Sequence, residues 1–314
     1  MILVTGATGF VGQALCADLA ARRIRHRAVS RLTRQGFATI GAINAATDWS
    51  AALAGIDTVV HLAARVHVMD EREADPLAAF RAVNVEATLN LARQAAASGV
   101  RRLVFVSSIK VNGEATVLGR PFKATDRPAP LDPYGVSKWE AEQALFALGR
   151  QTGLEIVAIR PPLVYGPGVK ANFASLMRLV ERGIPVPFGR VVNRRSLVFV
   201  GNLTDFIIRC VDHPDAASGT FLVSDGEDLS IGQLWVALAK GMHRPTRLLP
   251  VPPRILEITA LMLGKGAAAQ RLLGSLQLDI AETKRITGWT PPFSADQGLA
   301  LTAEAFGNRS ASAP

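Results

Sequence analysis

Five short apolar runs, ILVTG, RAVS, TVVHLAA, LVFVSS and EIVAIR, recur in the first half of the chain, separated by segments of helical length and periodicity. A chain that alternates strands with helices in this way satisfies its backbone as a parallel sheet with helices on both faces. Strands covered on both faces have no solvent side, and TVVHLA and LVFV are accordingly almost unbroken apolar runs. The expectation is an α/β fold built on a doubly wound parallel sheet.

The intervening segments carry readable helix ends. Asp75 before Pro76 predicts an N-cap with proline at the first helical position, and Gly99 marks the stop of that helical stretch. YGVSKWEAEQALFALGRQTG predicts a helix closed by Gly153, so Tyr134 and Lys138 stand at i and i+4 on one face. After Arg160 the texture changes to PPLVYGPG and GIPVPFG, rich in proline and glycine, and a second, smaller lobe is expected to begin there. The division expected is residues 1–162 as the first lobe, with a returning segment near 197–224, and residues 163–196 and 225–307 as the second. Ser230 and Gln233 form a capping box, GWTPPFSADQG reads as a terminal loop and cap, and NRSASAP as a frayed tail.

Composition narrows the function. A chain of 314 residues that is 49% hydrophobic can bury a substantial core, and disorder is not expected. Cys16 and Cys210 are far apart and outside any metal-ligand spacing, which argues against a zinc site or a disulfide framework and for a reducing compartment. The chain opens directly on a strand without a basic leader, so the cytoplasm is the expected location. A net charge of +9 favours anionic partners. Nucleic acid is not among those expected, because only 6% of residues are aromatic and no binding motif accompanies the charge. The run RRIRHR, from Arg22 to Arg27, reads as a solvated helix end entering a strand. RILEITALMLGKG is interrupted by Glu257 and Lys265 and is shorter than the roughly 20 residues of a membrane span; it reads as an amphipathic helix, with peripheral membrane contact open to it.

Chemistry is concentrated at two places. The first strand runs into Gly6, Gly9 and Gly12, directly before the helical pattern QALCADLAARR. Glycines at this strand-to-helix turn let backbone N–H groups approach a pyrophosphate, which predicts a dinucleotide site. The second strand ends in Ser30 and Arg31, where an acidic residue would select the ribose hydroxyl of NAD; space and positive charge favour NADP(H), with NAD(H) still possible. Asp48 is a candidate for the adenine amino group, or equally a helix N-cap. The second place is YGVSK. A free phenol, with a pKa near 10, is a weak acid at neutral pH, and Lys138 one turn away is expected to lower the pKa of Tyr134. Ser108, at the end of LVFVSS, adds a hydrogen bond to the reacting oxygen.

The blocks TGATGFVG, HLAA, SSIKVNG, YGVSK and RPPLVYGPG, in this order, resemble the extended short-chain dehydrogenase/reductase family of nucleotide-sugar enzymes, over residues 1 to about 300. The resemblance implies a Rossmann-type lobe holding a nicotinamide cofactor and a smaller C-terminal α/β lobe gripping a UDP-sugar, in a homodimer. It places the catalytic residues at Ser108, Tyr134 and Lys138. Cofactor contacts fall at Gly6, Thr8, Gly9, Phe10, Val11, Gly12, Ser30, Arg31, Asp48, Ala63, Ala64, Tyr134, Lys138 and Pro161, and substrate contacts at Ser108, Lys110, Asn172, Phe173, Arg195 and Arg271. Asn84 matches an asparagine that bridges the central strands, and His67 is expected to be a pocket wall.

Within that family, dehydratases carry an Asp-Glu pair where this chain has Ile109 and Lys110, so dehydration is not expected. Chains similar to UDP-galactose 4-epimerase carry a tyrosine at Asn112 and an asparagine at Leu163. Through ARVHVMDE, SSIKVNGE, NRRSLV and LVSDGEDLS the sequence is most similar to 4-ketoreductases of bacterial O-antigen assembly. The function expected is therefore NADPH-dependent reduction of a UDP-4-keto-6-deoxy-N-acetylhexosamine to UDP-N-acetylquinovosamine or its C4 epimer. The alternatives are a UDP-hexose or UDP-N-acetylhexosamine 4-epimerase with tightly bound NAD, and a cofactor-sensing regulator, which would lack the tyrosine–lysine pair.

Overall fold

The computed structural model of the chain describes residues 1–66, 75–264 and 266–311. Ten strands are described: β1 (Ile2–Thr5), β2 (His26–Ser30), β3 (Ala38–Thr39), β4 (Thr58–His61), β5 (Arg102–Val106), β6 (Glu155–Arg160), β7 (Leu163–Tyr165), β8 (Arg195–Phe199), β9 (Thr220–Leu222) and β10 (Asp228–Leu229). Seven of them form one sheet in the order β3-β2-β1-β4-β5-β6-β9, every pairing parallel. Chain order reverses between β1 and β4, which opens a crevice at the carboxyl ends of the strands. The fold is the expected doubly wound α/β sheet. The five strands read from the sequence are its centre, and the short β3 and β9 extend its edges.

Alternate residues of the strands serve the two faces. Val4, Val60, Val104 and Val157 pack with Leu15, Leu19, Phe206 and Ile207 on one side. Leu3, Val59, Leu103 and Phe105 pack with Leu91, Ala95, Ala141 and Leu145 on the other. A third core, around Tyr165, Phe173, Leu197, Phe199, Trp235 and Leu299, belongs to the region of the small sheet β10-β8-β7. Within the segment 197–224, β9 pairs with β6, whereas β8 pairs with β7 and β10.

Helix ends follow local chemistry. Asp75 caps through the N–H of Ala78 at 3.0 Å, Asp132 through that of Gly135 at 2.7 Å, and Ser230 and Gln233 cap each other reciprocally. Gly153 closes its helix in the left-handed conformation, φ 80°. The Arg22–Arg27 run is a helix end leading into β2, with Arg22 ion-paired to Asp18 and Asp205. The tail expected to fray is helical as far as Ala311, continuing the helix Ala295–Ala311 past Gly307. Cys16 and Cys210 are free thiols.

The helical stretch from Pro76 to Ala97 is not uniform. It opens as an α-helix, Pro76–Arg81, widens to a π-helical turn over Ala82–Ala87, and resumes as Thr88–Ala97. The wide turn holds Asn84, whose amide donates to the Arg65 carbonyl (3.0 Å) and the Ser137 hydroxyl (3.0 Å) and accepts from the Arg65 N–H (2.8 Å). Asn84 thus bridges the loop after β4 to the helix carrying Tyr134, rather than the central strands.

Candidate active site

The loops that follow β1, β4, β5 and β6 all lie at the carboxyl edge of the sheet. After β1 the chain turns at Gly6, φ +66°, and enters the helix Phe10–Ala21. A Cβ on Gly12 would sit 2.2 Å from the Gly6 carbonyl oxygen, and one on Gly6 would sit 2.7 Å from the Ala63 nitrogen. Only glycines allow the turn to close against the chain after β4, where Ala63 and Ala64 stand. The Thr5 hydroxyl secures that approach by accepting from the N–H groups of Leu62 and Ala63, both at 3.2 Å. Gln13 donates to the Thr8 carbonyl at 2.9 Å, and Phe10 and Val11 pack partly buried against the third core. No side chain caps the N-terminus of this helix, whose first N–H groups and positive dipole end suit a pyrophosphate. A cradle that a single added methyl group would fill fits a dinucleotide.

Ser30 is buried at the end of β2, its hydroxyl accepting from the Leu32 N–H at 3.3 Å, and Arg31 beside it is exposed. The exposed Asp48 carboxylate accepts from the Ser50 N–H at 2.9 Å at the start of the helix Ser50–Leu53, and these hydrogen bonds hold its carboxyl below the ordinary range. Its position is that of a helix-start carboxylate, one of the two roles open to it from sequence.

After β5, Ser108 caps the short turn Ile109–Val111 by accepting from the Lys110 N–H at 3.2 Å, while the Ile109 N–H donates to the Pro161 carbonyl after β6 at 3.0 Å. Beside it the Ser107 hydroxyl is buried without a hydrogen-bond partner. Tyr134 lies in the first turn of the helix Pro133–Thr152, its ring edge-on to the buried Phe80 at 5.9 Å. Gly135 lets the two segments meet: a Cβ there would lie 2.9 Å from the Lys110 carbonyl. Lys138, one turn on and 2% exposed, donates to the Val106 carbonyl at 2.9 Å and stands 4.4 Å from the centre of the Phe105 ring.

Its ammonium is 6.0 Å from the centre of the Tyr134 ring. Burial pushes Lys138 down to about 7, against the opposing charge of Glu142. Burial, then the Asp132 carboxylate, raises the Tyr134 phenol above its ordinary value. The depression of the tyrosine expected from the sequence is thus reversed in the chain by itself, because desolvation outweighs a lysine whose own charge is partly lost.

Lys110 is ion-paired with Asp132 and, at 3.2 Å, with Glu114. Arg195, at the start of β8, donates to the backbone carbonyls of Arg271 (2.7 Å) and Gly274 (3.0 Å), so its side chain lies against the chain that carries the other arginine named for a diphosphate. Phe173 is buried and stacked on Tyr165 at 5.6 Å, its ring part of the third core. Asn172 lies in the first turn of the helix Ala171–Glu181, and His67 lies outside the described residues. Among the described residues no group of three His, Cys, Asp or Glu side chains is placed to hold a metal ion.

Several supporting residues escaped the sequence reading. Glu142 and Arg160 form a buried ion pair with contacts of 2.5 and 3.0 Å, one turn beyond Lys138, and Arg160 also donates to Asn112 at 2.9 Å. Asn112 is therefore occupied inside the protein, where its amide also donates to the Lys123 carbonyl at 2.9 Å. His61 is held between the hydroxyls of Thr5 (2.7 Å) and Thr88 (2.9 Å). The Asp-Pro step at Asp132 was a legible N-cap signal of the same kind as Asp75-Pro76; the partners of Glu142 and His61 left no local signal.

Residues 2–232 match a family described as the NAD dependent epimerase/dehydratase family. A UDP-glucose 4-epimerase of Vibrio cholerae is 50% identical over 313 residues, covering 97% of this chain and 95% of that one. An N-acetyl-alpha-D-glucosaminyl-diphospho-ditrans,octacis-undecaprenol 4-epimerase of Escherichia coli O157:H7 is 27% identical, with 96% and 93% covered. Among solved structures, a UDP-glucuronic acid 4-epimerase from Bacillus cereus in complex with NAD superposes with a TM-score of 0.78 at 20% identity, covering 98% of this chain and 99% of that one.

Proposed function

Because the chain belongs to the NAD dependent epimerase/dehydratase family, we propose that it is a 4-epimerase of a UDP-hexose or UDP-N-acetylhexosamine that works with a retained NAD. The observation that carries this reading is the whole-chain likeness to the Vibrio cholerae epimerase. It displaces the 4-keto reduction expected from sequence as the leading reading.

In this reading Gly6, Thr8, Gly9, Phe10, Val11 and Gly12 surround the pyrophosphate, Ser30, Arg31 and Asp48 the adenosine, and Ala63, Ala64, Pro161, Tyr134 and Lys138 the nicotinamide end. When bound, the oxidised nicotinamide would supply an acceptor for the hydride of the sugar's C4 and a positive charge that opposes the raised pKa of Tyr134. Tyr134 takes the proton of the C4 hydroxyl and later returns it to the same oxygen. Ser108 donates a hydrogen bond to that oxygen, and Lys138 in its charged form favours the phenolate. Arg195 and Arg271 face the sugar's diphosphate, with Lys110, Asn172 and Phe173 in supporting places around the nucleotide.

The test is to give purified protein UDP-glucose or UDP-N-acetylglucosamine without added cofactor and follow the sugar by NMR. The C4 epimer should appear without net consumption of nicotinamide, and Tyr134→Phe should lower turnover about 10²- to 10⁴-fold with little change in nucleotide affinity. Absence of any epimer would overturn the reading.

A second reading, 4-keto reduction of a UDP-4-keto-6-deoxy-N-acetylhexosamine for O-antigen synthesis, is favoured by one feature: β2 ends in Ser30 with Arg31 after it and no carboxylate. Consumption of NADPH on addition of the keto-sugar nucleotide, with Ser30→Asp swinging preference toward NADH, would support it.

A further inference from the structure

The helix Pro253–Met262 buries none of its side chains, although half of them are large and aliphatic. Ile255, Ile258, Leu261 and Met262 are 53%, 57%, 72% and 84% exposed, and Leu263 just beyond is 67% exposed. Ile255, Ile258 and Met262 stand at i, i+3 and i+7, which makes them a stripe along one helix face. Thr259 withdraws its hydroxyl from that side by donating to the Ile255 carbonyl at 2.8 Å. Leu256 packs against the third core and fixes the other side of the helix to the protein. A surface helix of a water-soluble domain presents polar groups where this one presents hydrocarbon.

The sequence flanking the stripe is basic. Arg244, Arg247 and Arg254 are exposed, and residues 242–275 hold Arg244, Arg247, Arg254, Lys265 and Arg271 against the single acid Glu257. No described helix is long and apolar enough to cross a membrane. An aliphatic face on a basic segment, with Arg254 exposed on the same helix, matches the interface of an anionic bilayer, where acyl chains lie just below negative headgroups. A second copy of this chain on the same face would set these cations against one another, which disfavours self-association there.

We propose that the helix Pro253–Met262 docks the protein on the surface of an anionic lipid bilayer, with Ile255, Ile258, Leu261 and Met262 in the acyl boundary and Arg254 at the headgroups. Attachment is independent of the reaction assigned above, since neither the stripe nor Arg254 belongs to the active site.

The test is flotation of the full chain with phosphatidylcholine vesicles and with vesicles containing about 30% phosphatidylglycerol. The protein should rise with the anionic vesicles at least about ten-fold more than with neutral ones, and less at high salt. The triple variant Ile258→Ser, Leu261→Ser, Met262→Ser should lose vesicle binding while keeping its turnover on a soluble sugar nucleotide. Arg254→Glu, which leaves the stripe intact, should weaken binding to anionic vesicles alone and decides the matter if the triple variant does not fold. Failure of the native chain to float would overturn the proposal, as would a triple variant that floats as well as the native chain. So would a triple variant that only dissociates a dimer in sedimentation velocity, which would assign the face to a second copy.

Discussion

Lys110 and Asp132 form an ion pair that ties the turn carrying Ser108 to the N-cap of the helix carrying Tyr134. The same Asp132 carboxylate accepts from the Gly135 N–H at 2.7 Å, so one side chain both caps the helix and anchors the neighbouring turn. The segments carrying Ser108 and Tyr134 are thus joined by a contact outside the proposed trio of Ser108, Tyr134 and Lys138.

Lys110→Met should lower kcat about ten-fold through misplacement of Ser108, with cofactor retention unchanged. Asp132→Asn keeps an effective cap and removes the ion pair, so it should reproduce the kcat loss with little change in Tm; Asp132→Ala should add about 1 kcal/mol of destabilisation. Steady-state kinetics and thermal melts on the three variants separate the two roles. Equal kcat in Lys110→Met and the native enzyme would show that the pair does not position the site.

Gly12→Ala should abolish cofactor binding. The new methyl group would meet the Gly6 carbonyl at 2.2 Å, a backbone atom of a turn held by the Thr5 contact to Ala63 beside it. Relieving the overlap opens the turn at a cost of about 1–3 kcal/mol and removes the surface against which a pyrophosphate rests. Melting of protein freed of its cofactor, with and without added NAD, reads the outcome: at about 100 times Kd the native protein gains on the order of 3 kcal/mol, and the variant should gain almost nothing.

The readable part of this protein is the part encoded by neighbours in sequence. β1, β2, β4, β5 and β6 announce themselves because strands covered on both faces must be apolar throughout. The glycine turn and the Tyr134–Lys138 spacing are legible for the same reason, each lying within a few residues. β3 and β9, two and three residues long, are too short to form a pattern. The supporting contacts join distant segments: Glu142 to Arg160, Asn112 to Arg160 and Asn84 to Ser137 are 18, 48 and 53 residues apart. Asn112 reads in sequence as a missing tyrosine, yet in the fold it is a fixed partner of a buried guanidinium. The reversed expectation for Tyr134 has a similar origin, since helical spacing shows that a lysine is near but not how dry its surroundings are.

Glu142→Gln should destabilise the protein by about 3–5 kcal/mol, because it strands the buried Arg160 without its carboxylate. The Glu142 charge also raises the pKa of Lys138, so its loss should drive that pKa below about 7. The alkaline fall of kcat that reports the Lys138 ammonium should then move to lower pH, measured at a temperature where the variant is folded. An unshifted profile in a folded variant would separate Lys138 from the buried pair.

Acid sensitivity should centre on His61. The ring is buried, stacked 6.0 Å from Phe105 and held by two threonine hydroxyls, and burial with the charge of Lys138 pushes its pKa from 6.5 down to about 3. Between those values the unfolded chain binds a proton that the folded chain refuses, so stability rises with pH across that window and is lost as pH falls through it. The loss attributable to this one ring at about pH 5 is on the order of 2 kcal/mol. His61→Gln cannot titrate; it should be less stable than the native protein at about pH 8, and the gap should narrow as the solution is acidified toward about pH 5. Urea unfolding across that range checks it, and parallel pH dependences for the two proteins would remove His61 as the cause.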